Sequence, residues 1–247
     1  MRTKWIEEID DVKGDHSPRI QFSKAFSREF LNDSDLLLDV GCGNGTFLYS
    51  LEKANSIGID LEIDALKIAK RNCPNNEFVL GSSLNLPFRQ KIFGHVTLWE
   101  VIEHVPKGTE SLLLTEINRV SKENANFTMS TPNNHPIAMM LDPGYFFRGH
   151  RHYSMKALNS LVSKHGFEIK SQRIKGGLGM LLEMNVFYFF KHILKKKPSG
   201  RLYDTFFKKS QYEYLSDYVG LSNCFIAATK INPDPSKNSF RNISKGI

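Results

Sequence analysis

The sequence predicts a doubly wound α/β fold in which seven strands build a mostly parallel sheet with crossover helices on its faces. Three observations carry that expectation. From residue 35 onward short apolar runs alternate with amphipathic stretches, the pattern of a parallel sheet rather than of a sandwich or a bundle. A glycine-rich segment stands directly between the first apolar run and the first of those helical stretches. The composition, 40% hydrophobic and 24% charged over 247 residues, suits one ordinary buried core and excludes disordered, collagen-like and membrane-bundle classes.

Each element has its own signal. Residues 1–34 read as an N-terminal helical cap, because 18–31 is an aromatic-rich helical stretch suited to covering the sheet edge or a site. Residues 35–230 form the main domain. Its strands are expected at 36–40 (LLLDV), 56–60 (SIGID), 78–80, 95–98 (HVTL) and 127–130 (FTMS), each ending in small or polar residues as buried parallel strands do. Residues 62–72 place Ile63, Leu66, Ile68 and Ala69 on one helical face before Cys73-Pro74 stops the helix. Residues 109–122 do the same with Leu112, Leu113, Ile117 and Val120. Ser154 is an expected N-cap for a helix at 155–165 with a stripe of Leu158, Leu161 and Val162, and Gly166 is its stop. Residues 167–174 and 222–229 (SNCFIAAT) supply the last two strands, separated by a helical insertion at about 176–220 rich in Phe, Tyr and Lys. Residues 231–247, rich in Asn, Ser, Pro and Lys, read as a flexible tail.

Charge and cysteine usage narrow the classes further. The chain has 33 Lys plus Arg against 26 Asp plus Glu, a net +7. Most of that excess sits in one stretch, where Lys191, Lys195, Lys196, Lys197, Arg201, Lys208 and Lys209 face Asp204 alone. A local patch of this kind argues against a nucleic-acid groove, which spreads basic and stacking residues across a surface. Cys42, Cys73 and Cys224 are too few and too widely spaced for a disulfide framework or a zinc knuckle, so a reducing, cytoplasmic setting is expected. Residues 1–11 are charged where a secretion signal needs an apolar stretch. Residues 178–194 are the most apolar, but Glu183 and Lys191 interrupt them and they fall short of the roughly 20 residues a spanning helix needs.

The segment Gly41-Cys42-Gly43-Asn44-Gly45 carries the first functional signal. Glycines at alternate positions let the backbone pass close under a ligand and turn into a helix whose first N–H groups face the same space. Asp60, 19 residues after Gly41, ends the next strand, where a carboxylate can accept from both ribose hydroxyls. Dinucleotide enzymes space their glycines as G-x-G-x-x-G; here the third comes one residue early, and Asp39 stands just before the loop. An acid there repels a phosphate and suits an ammonium, which favours S-adenosylmethionine over a dinucleotide.

With those residues in place, the sequence resembles the class I S-adenosylmethionine-dependent methyltransferases, in the small-molecule branch that includes ubiquinone-biosynthesis-type O-methyltransferases. LLLDVGCGNGTFL (36–48), IGIDLEIDAL (57–66), GSSLNLPF (81–88) and LWEVIEHVP (98–106) are similar to four successive motifs of that family, and the likeness continues through 130–133 and 150–169. The resemblance implies a Rossmann-like methyltransferase fold and S-adenosyl-L-methionine as cofactor, and it is nearly silent on substrate. The acceptor is expected to be a small or lipid-linked molecule methylated on oxygen, with RNA or protein methylation, or a non-catalytic S-adenosylmethionine-binding relative, as the alternatives. The resemblance also implies that Gly41, Cys42 and Gly43 line the methionine part of the cofactor, with Asp39 orienting the loop or meeting the ammonium. Asp60 then holds the ribose and Leu61 lies on the adenine. Ser82, in place of the usual Asp, accepts from the adenine amino group with Ser83 and Leu84 beside the ring, while Leu98 and Trp99 pass the sulfonium. Arg19 is either a ligand of the cofactor carboxylate or a solvated arginine.

Methyl transfer is an in-line displacement at an already activated carbon, so the protein mainly aligns the acceptor and removes a proton. Glu100, Glu103 and His104, placed on one face of a short helix, fit two readings. They are donors for Mg or another divalent cation, completed by His150 or His152, or His104 is a general base and polar wall of the acceptor pocket. Tyr145, His150, His152 and Tyr153 are the candidate acceptor wall. The apolar residues within 181–209, next to the basic stretch, are either packed core or a peripheral membrane contact.

Overall fold

The computed structural model describes residues 17–196 and 198–231, without the side chains of residues 147, 148, 191 and 192. The first half of the expected cap and nearly all of the expected tail lie outside the described residues. The chain runs α1 (Pro18–Arg28), β1 (Leu37–Val40), α2 (Thr46–Leu51), β2 (Ser56–Asp60), α3 (Ile63–Asn72), β3 (Glu77–Leu80), β4 (Phe93–Trp99), α4 (Glu110–Val120) and β5 (Ser121–Pro132). It continues with α5 (Pro136–Leu141), α6 (Pro143–Arg148), α7 (Met155–Lys164), β6 (Phe167–Lys175), α8 (Leu178–Phe189), a π-helical turn (Phe190–Leu194), α9 (Arg201–Leu215) and β7 (Asn223–Lys230).

The seven strands lie in the order β3-β2-β1-β4-β5-β7-β6. Pairings from β3 to β5 are parallel, and β7 runs antiparallel between β5 and β6. The expected doubly wound sheet, with its helical insertion before the last strand, is therefore present. β1 and most of β4 are buried because helices cover both faces, and for that reason they read as mainly apolar runs in which the polar residues Asp39, His95 and Thr97 are buried too. One face packs Leu38, Val96 and Phe127 against Leu113 and Ile117 of α4 and Leu158 of α7. On the other face Phe26 of α1, Tyr214 of α9 and Phe225 of β7 are fully buried together. Phe22 meets Phe225 edge-on at 4.8 Å, and aromatic pairs of this kind each add about 0.5–1.5 kcal/mol beyond area burial. That cluster fastens the N-terminal cap to the face of the sheet rather than to its edge.

Several local expectations are corrected. Ile63 and Leu112 point to solvent at 49% and 48% exposure, while Leu114 takes the place expected of Leu112 on the buried face of α4. The stretch after β4 is a turn, not a helix: Glu100 sits at φ 54°, a left-handed conformation that breaks helical continuity, and His104 closes the turn onto the Val101 carbonyl. β5 begins six residues earlier than its apolar signal, because the polar residues 122–124 lie where its pairing with β4 is irregular. Residues 135–153 contain two short helices, capped by the side chains of His135 and Asp142. Ser154 caps α7 through the Ala157 N–H, and Gly166 ends it at φ 82°, both as expected.

Candidate active site

The carboxyl ends of β1, β2, β4 and β5 converge on one rim of the sheet, the place where open α/β sheets bind ligands. Gly41 leaves β1 at φ 74°, and a Cβ there would lie 2.4 Å from Val101 Cγ2, so only glycine fits. Gly43, at φ 52°, has no heavy atom within 4 Å of its would-be Cβ and leaves the backbone open to a ligand. Asp60 braces this loop from the end of β2: its Oδ2 accepts from the Gly43 N–H at 2.8 Å and its Oδ1 from the Glu62 N–H at 3.0 Å. Each carboxylate oxygen retains a lone pair for a ribose hydroxyl.

Asp39, at the end of β1, is 2% exposed and accepts from Thr97 Oγ1 at 2.6 Å. Burial, reinforced by the charge of Asp60, pushes its carboxyl up to about 7 against the opposing Thr97 bond. A buried carboxylate held this way gains from a nearby cation. Leu61 is 68% exposed although apolar, and so offers a face for a flat ring. Trp99 lies 5.2 Å from Phe47, and its indole Nε1 is buried without a hydrogen-bond partner. A ligand that satisfies this donor completes the rim. An open glycine cradle, a braced ribose acid and a buried acid beside them fit S-adenosylmethionine.

Other expected cofactor residues stand differently. The Cys42 thiol packs inward, so close that a Cβ on Gly58 would lie 2.7 Å from it, and burial pushes its pKa up, which leaves only its backbone on the loop. Leu98 is fully buried in the main core, so the side chain that β4 presents at the rim is Trp99. Ser82 Oγ accepts from the Leu84 N–H at 3.1 Å, closing a turn in which Ser83 sits and from which Leu84 packs on the core. Arg19 reaches the rim from α1 and pairs with Glu100 Oε2 at 2.9 Å.

The expected metal donors do not converge. Glu100 is held by Arg19, by Ser130 Oγ at 2.5 Å and by Asn223 Nδ2 at 2.9 Å. Glu103 turns inward, accepts from Thr131 Oγ1 at 3.0 Å and is 2% exposed; burial first, and then Glu100, raise its carboxyl well above the usual range. His104 Nε2 is 4.0 Å from Glu103 Oε1 with its ring half exposed. Glu100 and Glu103 are each engaged by other partners, and among the described residues no cluster of three or more His, Cys, Asp or Glu is placed to hold a metal ion.

The four residues expected to form the acceptor wall, Tyr145, His150, His152 and Tyr153, come together. Tyr145, Phe146, His150, Arg151, His152 and Tyr153 line a cleft of about 760 Å³ with Met139, Lys107 and Glu110. Its organiser is a residue that sequence reasoning missed, Asp142. Asp142 Oδ2 lies 2.9 Å from His152 Nε2 and 3.6 Å from His150 Nδ1, while Oδ1 accepts from the Gly144 N–H at 2.8 Å. Burial raises the Asp142 carboxyl, but the two imidazoles and the Gly144 N–H outweigh it and hold it well below the usual range. Burial lowers His152 in turn, and Asp142 together with the Asn133 carbonyl at 2.9 Å from Nδ1 raises it above the ordinary imidazole value. His150 meets the His104 ring edge-on at 4.5 Å, and Arg151 donates to the Ile102 carbonyl at 2.7 Å, so the cleft is tied to the turn that follows β4. The sequence signal for Asp142 was its place before Pro143-Gly144, a helix-cap pattern rather than a site pattern.

A family model described as a methyltransferase domain matches residues 18–172. The ubiquinone biosynthesis O-methyltransferase of Hydrogenovibrio crunogenus is 35% identical over 116 residues, 43% of this chain and 47% of that protein. The tRNA (carboxymethyluridine(34)-5-O)-methyltransferase of Arabidopsis thaliana is 28% identical over 108 residues, 42% of this chain and 26% of that protein. The chain spans less than half the length of these two relatives. A chain of the solved complex between the Haloferax volcanii Trm112 methyltransferase activator and a methyltransferase shares the fold with a TM-score of 0.67 at 14% identity, over 94% of this chain and 96% of that one. With the glycine loop, its two acids and the sheet order that carries them, the match establishes that this chain belongs to the class I S-adenosylmethionine-dependent methyltransferases.

Proposed function

We propose that the chain methylates an oxygen of a small or lipid-linked acceptor bound in the Asp142–His150–His152 cleft. The observation that supports this most is the imidazole cluster at the mouth of β4, where a hydroxyl can lose its proton. Bound S-adenosylmethionine supplies a methyl group on positive sulfur. The glycine loop and Asp60 would hold that ligand beside Trp99, and Asp39 would compensate its ammonium. The acceptor lies against Tyr145 and Tyr153. His104, in ring contact with His150, takes the hydroxyl proton as the oxygen attacks. Its half-exposed ring then passes the proton to water. His152, fixed on both nitrogens, is a wall rather than a base.

The relative named for ubiquinone biosynthesis supports a lipid-linked acceptor, and the apolar, basic insertion at 181–209 supports meeting it at a membrane surface. The relative named for tRNA favours an RNA acceptor instead. Two measurements separate these readings. S-adenosylhomocysteine binds in calorimetry at micromolar concentration, and absence of binding overturns the cofactor assignment for this chain. Labelled methyl then enters hydroxylated aromatics, more readily with a polyprenyl tail, and the His104→Asn variant loses that transfer while retaining cofactor affinity. Label found in RNA alone overturns the acceptor assignment.

A further inference from the structure

Helix α8 has the sequence LGMLLEMNVFYF, apolar around most of its circumference apart from Glu183 and Asn185. Such helices belong in a core or in lipid. Yet among the described residues only Gly179 and Leu181 of α8 are buried. Phe189 is 51% exposed at its end, and Ile193 and Leu194 of the π-helical turn are 67% and 43% exposed. Lys195 then turns the chain at φ 51°, and both Lys195 and Lys196 are exposed beside those apolar side chains. Helix α8 also adjoins the chain that lines the cleft. Asn185 Nδ2 donates to the Leu141 carbonyl at 2.7 Å, joining α8 to the end of α5; Met140 there is 64% exposed, and Phe146 of α6, on the cleft, is 63% exposed.

We infer that this rim, from Phe146 through Met140 to Phe189, Ile193 and the two lysines, docks on an anionic bilayer, and that the cleft receives an apolar-tailed acceptor directly from it. The second part rests on the acceptor reading above; the first does not. Exposed apolar side chains next to lysines match acyl chains lying beneath anionic headgroups, and each signal alone binds weakly. No helix among the described residues is long and apolar enough to cross a membrane, so the contact is with one leaflet. The position of Phe146 matters most, because it puts the opening of the cleft at the level of the lipid.

The full chain is sedimented with vesicles of phosphatidylcholine alone and of phosphatidylcholine mixed with phosphatidylglycerol. It partitions to the mixed vesicles, more weakly at high salt. The pair Lys195→Glu and Lys196→Glu, and separately the pair Phe189→Ser and Ile193→Ser, each lower partitioning about tenfold or more. All variants bind S-adenosylhomocysteine like the parent, so a failure here is distinct from a failure of the cofactor assignment. Absence of binding to mixed vesicles overturns the inference, as does binding that both pairs leave unchanged. A dimer in ultracentrifugation that the Phe189→Ser and Ile193→Ser pair dissociates also overturns it, since a second copy then covers the face. A tryptophan placed by Phe146→Trp is quenched by brominated lipid; if it is not quenched while the chain binds, the cleft does not open on the bilayer.

Discussion

The two halves of the active-site rim are built by different means. The half we assign to the cofactor, formed by the ends of β1 and β2 and the loop after Gly41, is shaped mainly by backbone: positive-φ glycines form an open cradle on a closed core, and the carboxylate of Asp60 braces it. The half we assign to the acceptor, formed by α5, α6 and the turn after β4, is made of side chains that hold one another, with Asp142 between two imidazoles and Arg151 and Tyr153 tied to the β4 turn. The first is set by what the chain can bend into. The second depends on partners that meet only when the sheet has closed, so it is the half in which relatives of one fold can differ in substrate.

Breaking the backbone half has the largest expected effect. Gly41→Ala drives a methyl into Val101 and forces a left-handed alanine, so it lowers the melting temperature sharply and removes S-adenosylhomocysteine binding in calorimetry. Gly43→Ala meets no such clash, so binding falls while the melting temperature drops much less; equal thermal losses in the two variants contradict the division made here. Asp60→Ala removes two charge-assisted bonds to backbone N–H groups, each worth about 1.5–3 kcal/mol, and weakens the cofactor on the order of a hundredfold. Glu103→Ala leaves cofactor affinity within about twofold, because its partner is Thr131 rather than the loop.

Breaking the side-chain half acts through pH. The folded Asp142 carboxyl lies below its usual 3.8, so its stabilisation is full above that value and fades as pH falls through the lowered one. The folded His152 lies above its usual 6.5, so its share is full below that value and fades as pH rises through the raised one. The pair therefore contributes most between about pH 4 and 6.5. Asp142→Asn lowers stability there by about 1–3 kcal/mol, less so above, and leaves S-adenosylhomocysteine affinity unchanged. Denaturant titrations across that range check it, and a loss independent of pH contradicts it.

The smallest effect sharpens the join between the halves. Asp39, at about 7 when folded, holds its proton below neutrality, and an ammonium in the cofactor half expels it. Calorimetry near pH 6, in buffers of different ionisation enthalpy, shows up to about one proton released on S-adenosylhomocysteine binding, and less near pH 8. No buffer dependence at either pH places the ammonium away from Asp39.

The sequence by itself determined the strands, their order of appearance, the caps at Ser154 and Gly166 and the glycine loop with Asp39 and Asp60, because these follow from local periodicity and from backbone angles that only glycine adopts freely. It placed His150, His152, Tyr145 and Tyr153 on one wall for the same reason, since they are near neighbours in the chain. Tertiary structure alone decided the rest. Arg19 meets Glu100 across 81 positions, and Asn223 meets the same carboxylate across 123, so closure of α1 and β7 onto the sheet chose those partners. The turn at Glu100 replaced the helix expected there, because the paired end of β4 and these anchors fix a left-handed residue against local preference. Asp142 became an organiser of the cleft only when the chain between β5 and α7 folded back, bringing His150 and His152 to one carboxylate.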